Sequence, residues 1–438
     1  MTLYATQAQR FGLALESVRG TAESAPSVWY PTRGPAKLNY GLKLLEDIGI
    51  RGVKAKYPPI PGVKMGDGSI PLHFDPQMLG EFFYGLLGSV ASAEDSEITI
   101  DATNNKIDFD IGGGEVTGTI ASASYAIGTS SASAGTLCAA IKSAMEAAEG
   151  TGTYTITYSR STKKFTIARS TSTFSILWKT GTNGSDNTEV SIGTTLGFDT
   201  SADDAAAASQ VGDNQVEYSF THTFTEQSGI QPPSYTFFLD RSLGVLKYNR
   251  GCIKAISFKG SVDGLVEVDA EVMFQTEASG SIGSPSFPTQ RYQSFQHTSF
   301  KIAGSANTNV KEWDMKIDNG AKALRTLSLS QDLSDIIAPD KIAVTGGFTI
   351  YFANTTERDK FLAGSTTSIE VLSQGDAIYG STKWKNDLVI YDARYNAFPY
   401  DDDEGLLAAK VSYEGYYSTA NSKTLQLVLV NQNTAYSS

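Results

Sequence analysis

One pattern is written twice in this chain, hundreds of residues apart. Residues 66–89, GDGSIPLHFDPQMLGEFFYGLLGS, give a turn, a short alternating strand and a small amphipathic helix. TGGFTIYFANTTERDKFLAG, from residue 345, gives the same order. Gly68, Ile70, Leu72, Phe74 and Phe83 fall on Gly346, Phe348, Ile350, Phe352 and Phe361 at a constant offset of 278. Downstream, Gly264, Leu265, Val266, Val268, Ala270 and Val272 fall on Gly405, Leu406, Leu407, Ala409, Val411 and Tyr413 at an offset of 141. Two alternating strands often align by accident. Here loop, strand, helix, strand and Gly-led strand recur in one order, which reads as an internal duplication. The first copy is longer by the difference, 137 residues, about what an inserted module and its flanks require.

Within the first copy, Ile70, Leu72 and Phe74 alternate with Ser69, Pro71 and His73, the signature of a half-buried strand. Pro71 lacks an N–H, so this strand is expected at a sheet edge or a bulge. Asp75 can cap a helix with Pro76 in its first turn. Met78, Leu79, Phe82, Phe83 and Leu86 form the apolar face of that helix. Residues 1–35 read as an extended arm. The Gly and Pro content of EDIGIRGVKAKYPPIPGVKMGDG predicts a long loop over Leu45–Gly66.

From about residue 93 to 212 the chain is heavy in Ala, Ser, Thr and Gly. Strands are expected at EITID, KIDFDI and EVTGTIA, a helix at SAGTLCAAIKSAMEAA, and a hairpin at YTITYSRSTKKFTIA. This reads as a compact α+β module placed in a loop, where exposed ends close together tolerate insertion. The expected fold is mainly β (β-rich α+β): two tandem β-sandwich or barrel units with short helices, plus the inserted α+β module. The boundaries are 1–92 for the first part of unit 1, 93–212 for the insert, 213–285 for the rest of unit 1, and 286–438 for unit 2.

Each copy has too little helix to cover its sheet, so free strand edges remain for something to hide. Closure into a ring of identical subunits is one solution. The Gly-led strand, about ten residues and roughly 33 Å long, is expected to carry the inter-subunit sheet through Leu265, Val266, Val268, Val272, Leu406, Leu407, Val411 and Tyr413.

The formal charge of −12 argues against a surface that holds nucleic acid. Two cysteines, Cys138 and Cys252, suit neither a disulfide framework nor a zinc site, and a reduced cytosolic origin is expected. MTLYATQAQRFGLALESVRGTAESAP has no apolar core after a basic head, so no targeting segment is expected. No apolar run nears the roughly 18–20 residues that cross a bilayer.

Catalytic constellations are sparse. His73, His222 and His297 lie in unrelated segments without ligand spacing, and His222 is most simply one residue on a strand face. IGGGEVTG at 111–118 has no following Lys-Ser/Thr and reads as a hairpin turn rather than a phosphate cradle. DDDEG at 401–405 lacks the alternating ligands of a calcium loop and reads as a solvated turn. Cys138, beside Leu137 and Ile141, reads as core. No catalytic, cofactor-binding or metal residue is expected, and no cofactor.

With these residues in hand, the chain resembles bacteriophage tail tube proteins, specifically the larger major tail proteins of long non-contractile tails. The resemblance rests on ESVRGTA, on EDIGIRG with its passage to GDGSIPLHFDPQMLGEFFYGLLGS, and on PPSYTFFLDRSLGVLKYNRGCIKAISFKGSVDGLVEVDAEVMF. It implies a structural virion protein, assembled in the bacterial host cytoplasm, that polymerises into stacked rings and forms a conduit for DNA at genome ejection. Under this resemblance the loop residues Leu45, Glu46, Asp47, Ile48, Gly49, Ile50, Arg51, Lys54, Lys56, Tyr57, Pro61 and Lys64 are the candidates for stacking ring on ring. Two tube units per chain imply a homotrimeric ring with pseudo-sixfold symmetry, carrying about −36 in formal charge, three times the −12 of one chain. Its implied partners are further copies of itself, tape-measure protein and transiting DNA in the lumen, and tail terminator and distal tail proteins, with no membrane. A secreted carbohydrate-binding or adhesin protein is a rival, weakened by the duplication and the missing export signal. A secretion-system tube protein shares the architecture but is usually a short single unit. A β-sandwich hydrolase would need an acid pair or triad that the sequence does not offer.

Overall fold

The computed structural model describes residues 9–46, 48, 56–95, 98–241, 244–280, 283–328 and 330–436. Strand accounts for 51% and helix for 8%, which makes the protein mainly β. The chain divides into two compact units: one is Met1–Ser92, His222–Ala377 and Lys383–Ser438, the other Ala93–Thr221 and Ile378–Thr382.

The larger unit is organised by strands β1 (Lys37–Leu45), β2 (Ile60–His73), β3 (Val245–Ser261), β4 (Glu267–Phe274), β5 (Val310–Asp318), β6 (Ala343–Tyr351), β7 (Thr382–Ala397), β8 (Tyr400–Asp403) and β9 (Leu406–Tyr416). They form one antiparallel sheet in the order β1–β2–β4–β3–β5–β6–β9, closed off by the end of β7 and by β8. β3 and β7 are long enough to serve two ladders. Val245–Gly251 of β3 pairs with Tyr235–Asp240, and Lys385–Ile390 of β7 pairs with Leu425–Val430. β3 changes ladders near Arg250, whose φ of 48° lies in the left-handed region that bends a strand.

The two sequence offsets map one pair of strands onto another without slippage. In β2–β4, Gly68 lies opposite Val272, Ile70 opposite Ala270 and Leu72 opposite Val268. In β6–β9, Gly346 lies opposite Tyr413, Phe348 opposite Val411 and Ile350 opposite Ala409. A one-residue slip would turn every side chain to the wrong face, so an identical register in both places is a demanding coincidence.

Alternation sets the faces. Val268, Ala270 and Val272 are buried, while Glu267, Asp269 and Glu271 between them are half-buried. The inward face packs on the helix Gly80–Leu87, where Phe83 meets Phe258 edge-on at 6.0 Å and Phe224 at 5.7 Å. Each fully buried aromatic or aliphatic side chain contributes about 1.5–3 kcal/mol relative to exposure. Asp75 Oδ1 accepts from the Gln77 backbone N–H at 2.8 Å, holding the turn that leads into this helix. The equivalent helix, Thr356–Ala363, buries no residue completely. Its Phe361 stacks on Phe398 at 6.1 Å and Leu362 remains exposed.

Several expectations change. Pro71 lies in a strand paired on both sides, not at an edge. β1 stops at Lys37 opposite Ser69, so on that flank the missing N–H of Pro71 has no ladder to break, and its carbonyl accepts from Arg33. The N-terminal stretch is not wholly an arm: Arg10–Leu15 pairs with Val28–Tyr30 and with Tyr235–Asp240, burying Phe11 and Leu13. The expected loop before Gly66 is in large part a hairpin, with Leu45 opposite Ile60 and Leu42 opposite Lys64. Its glycines are used for close approach, and the ring of Phe274 lies where a Cβ on Gly66 would stand. Among the described residues β1 does not pair with β8, so one chain forms no closed barrel.

The smaller unit has its own core, including Ile107, Phe109, Ile141, Tyr154, Ile167 and Trp178. Its helix Leu137–Glu149 starts at Thr136, whose hydroxyl accepts from Ala139 N–H, and ends at Gly150 with φ 82°. The unit holds a four-stranded sheet (Glu115–Thr119, Lys106–Asp110, Phe174–Ile176, Asp204–Ala207), a three-stranded one (Tyr154–Ser159, Lys164–Arg169, Ser209–Val211) and a two-stranded one (Ile98–Ile100, Ala123–Tyr125). The triple glycine is the turn between Lys106–Asp110 and Glu115–Thr119, with Asp110 Oδ1 accepting from Gly112 and Gly114 N–H.

Candidate assembly surface

The eight-row sheet leaves two backbone edges. Among the described residues β1 pairs only with β2, and β8 pairs only with β9. Unpaired strand edges template further strands unless something blunts them. The β1 edge carries Lys37, Asn39 and Lys43, and the other edge carries Tyr400, 51% exposed, and Asp401–Asp403.

The outward face of the same sheet is charged and mostly acidic. Asp67, Glu267, Asp269, Glu271, Glu312 and Asp314 share it with Lys37, Lys259, Lys316 and Lys410. Three cations on or beside this face are answered locally. Lys316 Nζ meets Glu271 at 2.6 Å, Lys410 Nζ meets Asp401 at 2.6 Å, and Arg33 reaches Glu267 at 3.0 Å and Asp269 at 2.9 Å. Such surface pairs add little stability, but they occupy charges that a phosphate would otherwise use. Burial, then the neighbouring Glu312, hold the Asp314 carboxyl above its usual range, while Lys410 holds Asp401 below it.

The β1–β2 hairpin runs past the end of β4, which pairs only with Gly66–His73. Its far end exposes Leu42, Leu44, Leu45 and Ile60, the last at 62%. Exposed apolar side chains gathered at one end of a hairpin make it a candidate contact surface. Glu46 pairs with Lys56 at 2.6 Å. Tyr40 donates to Asp332 Oδ1 at 2.6 Å and Lys64 N–H donates to the Gln331 carbonyl, anchoring the hairpin's base. Of the stacking candidates, Leu45 lies in β1 and Pro61 and Lys64 in β2. Glu46, Ile48, Lys56 and Tyr57 lie between the strands, and Asp47, Gly49, Ile50, Arg51 and Lys54 fall outside the described residues.

The residues expected to join subunits lie elsewhere. Val268 and Val272 are buried in β4, which is paired on both sides by β2 and β3. Val411 and Tyr413 are buried in β9, paired by β6 and by β7 and β8. Val266 is buried just before β4; Leu265, Leu406 and Leu407 are exposed at the strand ends. Interior strands have no free ladder to offer; the free ladders of this sheet, among the described residues, are those of β1 and Tyr400–Asp403. Pro399 and the aspartate run were the sequence signs of an edge, since proline and charge are how proteins mark one.

The three histidines lie in separate surroundings. His222 is buried, its Nδ1 at 2.7 Å from Ser92 Oγ and its Nε2 at 3.1 Å from Asn431 Oδ1. His73 lies against Tyr292, its pKa lowered by burial and by Arg33; His297 Nδ1 accepts from Ser294 N–H. Among the described residues no group of three His, Cys, Asp or Glu is placed to hold a metal, and no helix is long and apolar enough to cross a membrane. A family model described as phage tail tube protein matches residues 6–406. No curated protein matches the chain.

Proposed function

This chain belongs to the phage tail tube protein family, and we propose that it polymerises into stacked rings whose lumen conducts DNA into the host at genome ejection. The observation that carries the reading is the open sheet of the larger unit, which has two bare edges and one acidic face. A sheet with complementary ends closes when identical copies join head to tail around an axis. Two equivalent strand sets per chain, within 1–92 with 213–285 and within 286–438, give six around the axis from three copies. The ring is then a homotrimer with pseudo-sixfold symmetry, in a tail of the long non-contractile kind.

The acidic face lines the lumen. Affinity for DNA comes from cations that neutralise phosphates, and here acidic side chains outnumber the cations while Lys316, Lys410 and Arg33 are paired with carboxylates, so DNA slides rather than sticks. The apolar end of the β1–β2 hairpin stacks against the next ring, with the N-terminal stretch and C-terminal tail as further contacts. Residues 93–212 lie on the outside of the tube, because a module of that size in the lumen would obstruct DNA. The remaining partners are tape-measure protein within the lumen and tail terminator and distal tail proteins at its ends, all in the virion after assembly in the host cytoplasm.

Sedimentation velocity across a concentration series tests the ring. A discrete species of three chains that gives way to larger stacks is expected. A single-chain particle at every concentration would remove the reading.

A further inference from the structure

We propose the register in which one copy joins the next: Tyr400 opposite Leu38, and Asp401 opposite Lys37 of the following copy. This rests on the ring reading, and it follows from a junction already present inside the chain. Strands β3 and β5 join the two strand sets, with Phe258 opposite Met315 and Lys259 opposite Asp314.

The two offsets carry that junction to the free edges. Phe258 lies opposite Val268 and Tyr400 opposite Ala409, and Val268 and Ala409 are equivalent at 141. Tyr400 therefore stands where Phe258 stands. On the other flank, Met315 lies opposite Gly346 and Leu38 opposite Gly68, equivalent at 278. Leu38 therefore stands where Met315 stands. The neighbouring row agrees, since Lys259 is opposite Glu267 and Asp401 opposite Ala408, while Asp314 is opposite Gly347 and Lys37 opposite Ser69.

The charges at this position are exchanged between the two junctions. Inside the chain the lysine is on β3 and the aspartate on β5; between copies the aspartate is on β8 and the lysine on β1. Each proper junction places opposite charges face to face. A wrong one, β3 of one copy against β1 of another, would set Lys259 against Lys37, and β8 against β5 would set Asp401 against Asp314. Like charges directly opposite are destabilising, so the exchange selects the correct order of strands around the ring. Pro399 does not obstruct the joint, because its carbonyl already turns inward to accept from Lys410 N–H. One bond must be exchanged and one carboxylate shared: in the single chain the Leu38 carbonyl accepts from Arg241 Nη2 at 3.0 Å, and Asp401 is paired with Lys410 at 2.6 Å.

Cysteine cross-linking tests the register. Residues directly opposite have Cα atoms about 4.5–5.5 Å apart, within reach of a disulfide, whereas pairs beyond about 7 Å are not bridged. Lys37→Cys with Asp401→Cys, oxidised after assembly, should give a denaturing-gel ladder that ends at three chains. Asn39→Cys with Asp401→Cys, one diagonal step away, should not cross-link. Electron micrographs of the same samples and of the unmodified chain separate the two failures. Tubes without the first cross-link, or with the second dominant, overturn the register and leave the ring standing; absence of tubes from the unmodified chain overturns both. Asp401→Lys alone should lose assembly with an unchanged circular-dichroism spectrum, and adding Lys37→Asp should recover it. Full assembly of the single variant would contradict the charge argument.

Discussion

Ser92 and His222 are 130 residues apart in sequence, yet the serine Oγ lies 2.7 Å from the imidazole Nδ1. The other ring nitrogen faces two acceptors, Asn431 Oδ1 at 3.1 Å and the Asn433 carbonyl at 3.0 Å. Nε2 therefore carries the proton and Nδ1 accepts from the serine. The chain leaves the larger unit at Ser92 and re-enters it at His222, so the two ends of the excursion are tied together. Neighbouring ends are where insertions and excisions are tolerated. Replacing residues 93–221 with a short Gly/Ser linker should give a folded chain with a cooperative melt that still assembles. Aggregation on expression, or loss of near-UV circular dichroism, would show that the larger unit depends on the segment.

Gly346 lies opposite Tyr413, and a methyl on it would strike the Asp314 carbonyl and the Tyr413 hydroxyl. A methyl on Gly68 would strike the Lys37 carbonyl, at the equivalent place in the other strand set. Overpacking of this kind costs about 1–3 kcal/mol. Gly68→Ala and Gly346→Ala should each lower the urea midpoint by a corresponding amount. Gly283→Ala, with open space around it, should stay within about 0.5 kcal/mol.

Burial pushes the Glu81 carboxyl up to about 7, partly offset by a hydrogen bond from the Tyr235 hydroxyl. The folded chain thus keeps a proton that the unfolded chain releases near 4.5. Between those values the folded state binds more protons, so stability falls as pH rises from about 4.5 to about 7 and stays lower above. The loss is on the order of 3 kcal/mol. Asp75, pushed up to about 6 by burial, acts in the same direction. Urea midpoints at pH 5 and 8 should differ in that sense, and Glu81→Gln should remove most of the difference.

Both thiols are buried, and burial pushes Cys138 and Cys252 up to about 12. The thiolate is the reactive form. An aromatic disulfide reagent at pH 8 should find no reactive thiol in the native chain and two in urea. A fast native phase would contradict the packing around one of them.

What sequence reveals here follows from what a two-residue period encodes. Alternation at Ile70, Leu72, Val268 and Ala270 gave the faces, and the spacing repeated from Gly68 to Gly346 falls on two strand pairs that share one register. Period two says nothing about which strand lies beside which. β4 and β9 were therefore expected at junctions, although each is flanked on both sides. Lateral order is set by the tertiary path, by the turn at Arg250 that swings β3 between ladders and by β5 returning alongside it. Glycine and proline misled before Gly66, where Gly62 and Gly66 serve close packing inside a hairpin rather than a loop.

Cryo-electron microscopy of the purified chain left to assemble tests the central claim most directly. The account predicts stacked rings of three chains, six similar strand sets around each lumen, acidic side chains of β2, β4 and β5 on the inner wall, and continuous sheet from β8 of one chain to β1 of the next. Rings whose subunits meet through other surfaces, with β1 and β8 still bare, would contradict it.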